Sequence, residues 1–307
     1  MRECLNYPSA NTFERVIGLS KRPLTKETAR LPEDPKLEIH TGLDLTDAEL
    51  ALQRLEDIPN IADVTHVYFV AYTGHGTSPE NLVEVNSAIV DNALVAVNIL
   101  CPNVKFVSLQ TGGKHHGYGM VGHGWPPAPW KETLPRMPEP YASKIFYYAQ
   151  HDVVARHAAA SSWKWAEIRP SFLPGFVPQF NAMNVAQSLG LYLSFYRSTH
   201  GDGAICPFPG SQESWVALHT DSFQDVVARF HIHVSGKAIR IWICQAQGLH
   251  IQSMHIRPIS PNIPISDSRE NTPTFSFFYY YYYYYYNRLI NTLIQLSTML
   301  TTLYIIL

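Results

Sequence analysis

An open, mostly parallel α/β sheet is the fold class that this 307-residue sequence predicts. Three observations predict it. Short β-branched or aromatic runs alternate with amphipathic stretches at the spacing of βαβ units. Apolar residues make up 46% of the chain, enough to cover both faces of a sheet. Polar and glycine-rich clusters follow directly after the apolar runs, where ligands bind in such sheets.

The elements follow in order. Arg15–Ser20 and Leu37–His40 read as strands, and Thr46 with Glu49 three residues on reads as a capping box opening a helix to about Asp57. Thr65–Ala71 is a strongly β-branched and aromatic strand. Pro79–Leu100 is a long amphipathic helix carrying Val83, Ile89, Val90, Leu94 and Val97. Val104–Gln110 is a strand, followed by a Gly/His/Pro-rich loop from Thr111 to about Pro140. Ser143–Ser162 reads as a helix, Trp165–Arg169 as a strand, and Asn184–Thr199 and Asp221–Phe230 as helices.

Composition divides the chain at about Ser235. Residues up to about 235 read as a patterned globular protein. Residues 236–307 are expected to be a low-complexity tail with only seven charged residues and an unbroken Tyr279–Tyr286 run. The last 19 residues, Leu289–Leu307, are uncharged and just long enough to span a bilayer. Asn291, Gln295 and several Ser/Thr argue against an anchor, because each polar group in lipid needs a partner. The net charge of −2 leaves no electrostatic footprint for nucleic acid. Cys4, Cys101, Cys206 and Cys244 form no CxxC pair, and no charged-then-apolar leader opens the sequence, so a reducing cytosol is expected.

The strand tips hold the chemistry. Ser20-Lys21-Arg22 follows the first readable strand, where a dinucleotide fold faces the adenosine ribose. Cations there suit a 2′-phosphate and favour NADP over NAD; a solvated turn before Pro23 is the bland reading of the same pair. Gly74-His75-Gly76 lacks the third glycine of a dinucleotide fingerprint and is expected to be a strand-end loop beside a cofactor. Lys114 in the Gln110-Thr111-Gly112-Gly113-Lys114-His115-His116 segment and Tyr147 in Phe146-Tyr147-Tyr148 form a candidate proton-donating pair, in which an ammonium helps a phenol hold developing negative charge. In the usual short-chain reductase arrangement, Tyr-xxx-Lys, the lysine stands four residues after the tyrosine. Here His151 holds that place, so the lysine must come from elsewhere; a core tyrosine and a surface lysine remain the alternative. His115, His116 and His123, or His231-x-His233, bring no carboxylate or cysteine at ligand spacing, which argues against a metal site.

Taken together, LQTGGKHH, the PWKETLPRM–FYY stretch, RPSFLPGFVP and CPFPGSQESWVALHTDSFQDVVARF resemble the progesterone 5β-reductase/iridoid synthase-like family of atypical short-chain dehydrogenase/reductases, over about residues 1–234; MNVAQSLGLYLSFYRSTHGDG is similar to its fungal branch. The resemblance implies an NADPH-dependent reductase that delivers hydride to the β-carbon of an enone, or to a carbonyl, of a small-molecule substrate. It implies that Lys114 and Tyr147 are catalytic, and that Ser20, Lys21 and Arg22 hold the adenosine phosphate. Asp44 and Leu45 would lie near the adenine, Tyr72 and Thr73 along the cofactor channel, Gln110 and Thr111 at the strand end, and Arg169, Pro170, Ser171 and Phe172 beside the nicotinamide. Two departures stand out. The strand and G-x-x-G-x-x-G turn with which members begin are absent before Met1-Arg2-Glu3-Cys4-Leu5, and the region after Val234 differs. A Rossmann-like sheet lacking its first strand is therefore expected, with unpaired backbone between its neighbours at about 1–3 kcal/mol per buried group. An inactive fragment, or a non-catalytic nucleotide-fold protein possibly tethered to a membrane, is the alternative to an enzyme.

Overall fold

A computed structural model of the chain describes residues 1–74, 78–117, 130–178, 184–207 and 221–240, together with the backbone of 246–249, 262–264 and 302–306. Two compact units emerge. The first comprises Met1–Pro170, Asp225–Ile251 and Met299–Leu307; the second comprises Ser171–Gln224 and Gln252–Thr298.

The first unit is built on a sheet containing β1 (Val16–Ser20), β2 (Leu37–Thr41), β3 (His66–Phe69), β4 (Phe106–Gln110) and β5 (Lys164–Ile168). The strands predicted from the sequence all form, with ends shifted by up to two residues. Side-chain alternation sorts β1, β3 and β4 onto two apolar faces. Ile17, Leu19, Val67, Phe69, Val107 and Leu109 meet α2 (Ala48–Glu56) and α3 (Pro79–Leu100) on one face. Val16 and Tyr68 pack with Cys4 and Leu5 of α1 (Arg2–Asn6), Phe13 and Ile232 in a cluster of the other face. Each fully buried Leu or Ile there contributes about 1.5–3 kcal/mol.

Helix α3 starts where the sequence predicts, with Pro79 at its first position and the Ser78 side chain accepting from Asn81 N. It is long and apolar enough to cross a membrane, but Ile89, Val90, Ala93, Leu94, Ala96 and Val97 are buried in the core of this unit. Helix α2 departs from the capping box. Asp47, not Thr46, caps it by accepting from Leu50 N, while the Thr46 hydroxyl donates to Asp44 at 2.7 Å. The expected helix over Ser143–Ser162 is shorter: a 3-10 turn at Ala142–Lys144 precedes α4 (Phe146–Ala159).

The full strand order is β2-β1-β9-β3-β4-β5-β7, with β7 (Ala246–Leu249) at the edge and β9 (Thr302–Ile306) in the middle. All neighbours pair in parallel except β9, which runs antiparallel to both β1 and β3. The gap expected between β1 and β3 is therefore absent, because β9 from the C-terminal segment pairs with both. Ile305 stands opposite Ile17 on one side and Val67 on the other. The sequence TLYII is uncharged and rich in β-branched residues, the composition that a central strand needs. The end of the stretch weighed as a membrane anchor is therefore a strand of this sheet.

The last long helix, α6, runs Gln224–Arg240 rather than stopping at Phe230, and so continues past the compositional boundary at Ser235. It closes a sheet face through polar contacts as well as apolar ones. His231 Nδ1 lies 2.7 Å from Ser108 Oγ, and the Tyr68 hydroxyl lies 2.7 Å from Ser235 Oγ.

The second unit contains α5 (Val185–His200) and an antiparallel pair, β6 (Ile205–Pro207) with β8 (Asn262–Pro264). Asn184 caps α5 by accepting from Ala186 N, and its amide donates to Gly175 O at 2.7 Å. Phe172 bridges to Asp221, and Ser171 N donates to Ser222 Oγ. His123, His75, Gly76 and the tyrosine run lie outside the described residues.

Candidate active site

In the first unit, the carboxyl ends of β1, β3, β4 and β5 carry the residues that the sequence singles out. After β1, Ser20 is buried and its hydroxyl has no hydrogen-bond partner among the described residues. Lys21 Nζ lies 2.6 Å from Asp44 Oδ2. Burial would raise the Asp44 pKa, but Lys21 and the Thr46 hydroxyl and N–H outweigh it and lower it below the usual carboxylate value. Two residues proposed on separate grounds are thus one ion pair. Arg22 is half-buried in the same turn. Leu45 is buried, and its carbonyl accepts from Asn92 of α3 at 2.9 Å.

After β3, Thr73 is held through its backbone. Asn86 of α3 accepts from Thr73 N at 3.0 Å and donates to Thr73 O at 2.9 Å. Tyr72 is half-buried with its ring centroid 5.5 Å from that of Phe146, and desolvation raises its pKa. Phe146 in turn contacts Tyr147 at 4.3 Å.

After β4, Gln110 meets His231 at 3.2 Å, and Thr111 N donates to Ile168 O. The Tyr147 ring closes onto Gly112. A methyl group built at Gly112 would lie 3.2 Å from the Tyr147 hydroxyl and 3.5 Å from Pro170 O, which leaves little room for a side chain. Lys114 follows two residues later in a 3-10 turn, Gly113–His116, that ends at Gly117 in the left-handed region at φ 80°. Only glycine fits there easily, since a Cβ would also meet Met137 Sδ. The Lys114 side chain reaches the surface, yet desolvation by surrounding protein lowers its pKa below the ordinary 10.5. Among the described residues nothing pairs with its ammonium.

Tyr148, the second tyrosine of the pair, has a different task. It is buried, donates to His115 O at 2.6 Å and accepts from Met137 N at 2.9 Å. This divides the pair into one half-buried phenol, Tyr147, and one that ties α4 to the lysine turn.

The residue that sequence reading missed is Glu167. It is fully buried at the end of β5. Thr111 Oγ1 donates to Oε1 at 2.6 Å; His151 Nδ1 and an Arg169 nitrogen reach Oε2, each at 2.8 Å. His115 Nδ1 approaches Oε1 to 2.9 Å but lacks hydrogen-bond alignment. Burial would raise this carboxyl's pKa, but the His115, His151 and Arg169 contacts overcome it and hold it well below the usual range. The same burial lowers the His115 pKa. A lone acid within WAEIR was the available signal, since charge in a buried strand needs partners. Pro170 ends the first unit; Ser171 and Phe172 belong to the second, where Ser222 and Asp221 engage them. Among the described residues, no three His, Cys, Asp or Glu side chains are grouped to hold a metal ion.

A nucleotide-type sheet with polar strand tips gathered at one edge defines a Rossmann-like protein. Residues 2–244 match the PRISE-like Rossmann-fold domain, and the chain belongs to that family. It is 37% identical over 242 residues to the short chain dehydrogenase ausT of Aspergillus calidoustus, covering 76% of this chain and 59% of that protein. It is 30% identical over 221 residues to a 3-oxo-Delta(4,5)-steroid 5-beta-reductase of Arabidopsis thaliana, covering 71% of this chain and 53% of that one. The chain therefore spans somewhat over half the length of these relatives. Among solved structures it is similar to the dTDP-glucose 4,6-dehydratase DesIV of Streptomyces venezuelae, crystallised with NAD, with a TM-score of 0.52 and 17% identity over 81% of this chain and 69% of that one. That likeness is one of fold.

Proposed function

We propose that this protein is an NADPH-dependent reductase of enone or carbonyl small molecules, with Tyr147 and Lys114 as its catalytic pair. The observation that carries the reading is the closure of the Tyr147 hydroxyl onto Gly112, two residues before Lys114, at the carboxyl end of a central parallel strand. A phenol and a desolvated ammonium, reaching one strand tip from two elements, suit an oxygen that gains negative charge.

The bound nicotinamide would supply a hydride. Tyr147 would hold the substrate carbonyl oxygen by a hydrogen bond from its O–H, keeping its proton, while hydride reaches the β-carbon and the π electrons shift to that oxygen. Lys114 would stabilise the resulting enolate electrostatically, and a proton from water at the α-carbon completes the reduction. The buried Ser20 hydroxyl, without a partner among the described residues, and the cations Lys21 and Arg22 fit an adenosine 2′-phosphate, with Lys21 exchanging its Asp44 partner for the ligand. Leu45 and Asp44 would border the adenine. Tyr72, Thr73, Gln110 and Thr111 would line the remainder of the cofactor path, and Arg169 and Pro170 its nicotinamide end.

Titration with NADPH, followed by its fluorescence, tests this reading. Saturable binding, together with enone-dependent NADPH oxidation that falls about 10²–10⁴-fold in Tyr147→Phe, is expected. A second reading, a nucleotide-fold protein without catalysis, draws on β9, which completes the sheet without a glycine turn. Absence of binding at millimolar NADPH would favour it.

A further inference from the structure

The Glu167 network has a geometry that sheet stability alone does not require. A buried carboxylate costs several kcal/mol unless its lone pairs are met, and an apolar residue at this strand position would avoid that cost. The neighbouring β5 positions, Ala166 and Ile168, are ordinary apolar core. At 167 the chain instead places an acid and brings donors to it from three segments.

Those donors are specific in what they hold. Thr111 donates to the carboxylate three residues before Lys114, and His115, one residue after it, places Nδ1 2.9 Å from the same oxygen without a hydrogen bond, so the carboxylate lies against the segment on both sides of the ammonium. His151 lies one helical turn after Tyr147 on α4 and takes the other oxygen. Arg169 extends from the strand end beside Pro170, the residue whose carbonyl faces Gly112. The helix position four residues after the tyrosine, from which a lysine commonly assists such a phenol, here anchors the carboxylate that fixes the lysine's own turn.

We infer that Glu167 is a positioning residue that sets the Lys114 turn against the Tyr147 helix, a role that deepens and rests on the reductase reading above. It touches neither substrate nor cofactor and acts through Thr111, His115 and His151. The buried contact of Tyr148 with His115 O provides a second tie between the same two elements, so loss of Glu167 should loosen the turn without detaching it.

The test uses the full chain, with lysines reductively dimethylated with ¹³C-formaldehyde and the Lys114 resonance assigned by Lys114→Arg. In the wild type this resonance should titrate below the ordinary lysine range. In Glu167→Gln it should move back toward about 10.5, the ordinary value, as the turn relaxes into water. An identical Lys114 titration in both proteins would overturn the inference, whether or not the chain reduces an enone. With enone and NADPH, kcat should fall about 100-fold while KM for NADPH stays within twofold. Equal losses in kcat and NADPH affinity would also overturn it. A wild type without turnover would remove the reductase reading and leave the Lys114 resonance to decide the positioning role. If Glu167→Gln does not fold, His151→Phe, which deletes one donor and keeps the carboxylate, is measured in the same way. An unchanged resonance there counts against the inference.

Discussion

At Gly112 the end of β4 and the Tyr147 ring of α4 come close, leaving 3.2 Å between an added Cβ and the Tyr147 hydroxyl. The Gly112 backbone is extended, so any residue could adopt the conformation; the constraint is the Tyr147 ring above it. In Gly112→Val the branched side chain must displace that ring. Enone reduction should fall by about 100-fold with far-UV circular dichroism unchanged. His231 allows a prediction of pH dependence. Its burial between Ser108 and Gln110 lowers its pKa to about 3. The folded protein keeps this imidazole neutral, while the unfolded chain binds a proton below about pH 6.5. Its contribution is complete above that value and declines as pH falls toward about 3, by up to about 1.4 kcal/mol per unit. Urea midpoints at pH 7 and pH 5 should differ more in the wild type than in His231→Gln. At this scale the sequence identified the residues that carry chemistry but not those that hold them. Lys114 and Tyr147 belong to unusual local segments, whereas Glu167, Asn86 and Asn92 acquire their meaning from partners 13 to 56 residues away.

Among the elements, β9 has the largest consequence. It supplies the ladder between β1 and β3, and proline is excluded from central strands because it removes a donor and crowds its neighbour. Ile305→Pro should destabilise the sheet by at least the cost of an orphaned backbone group, about 1–3 kcal/mol, and lower the thermal midpoint. An unchanged midpoint would mean that the segment contributes nothing to the fold in solution. Periodicity located α3 to the residue because Ser78 and Pro79 give an unambiguous start. It misplaced the start of α2, because Thr46 and Asp47 are both good caps and the choice depended on Asp44 engaging the threonine. Composition alone could not place β9 in the sheet, since an uncharged run reads equally as strand, anchor or low-complexity sequence.

For the whole molecule, family membership and the polar edge of the sheet set the nucleotide preference to be tested. Lys21 and Arg22 have a use for a 2′-phosphate that a 2′-hydroxyl does not offer. Lys21→Ala combined with Arg22→Ala should weaken NADPH binding about tenfold or more and leave NADH binding within about twofold, each charge-assisted contact being worth roughly 1.5–3 kcal/mol. Equal weakening of both would assign the two cations to the fold rather than to the ligand.

The amino-acid order by itself determined the alternation of strand and helix, the polar tips and the family, because each is written in local pattern. Only the tertiary structure decided which distant segment completes the sheet and which buried acid joins the lysine turn to the tyrosine helix. Backbone pairing and charge burial are settled by what lies across space, and a chain read residue by residue does not contain those distances.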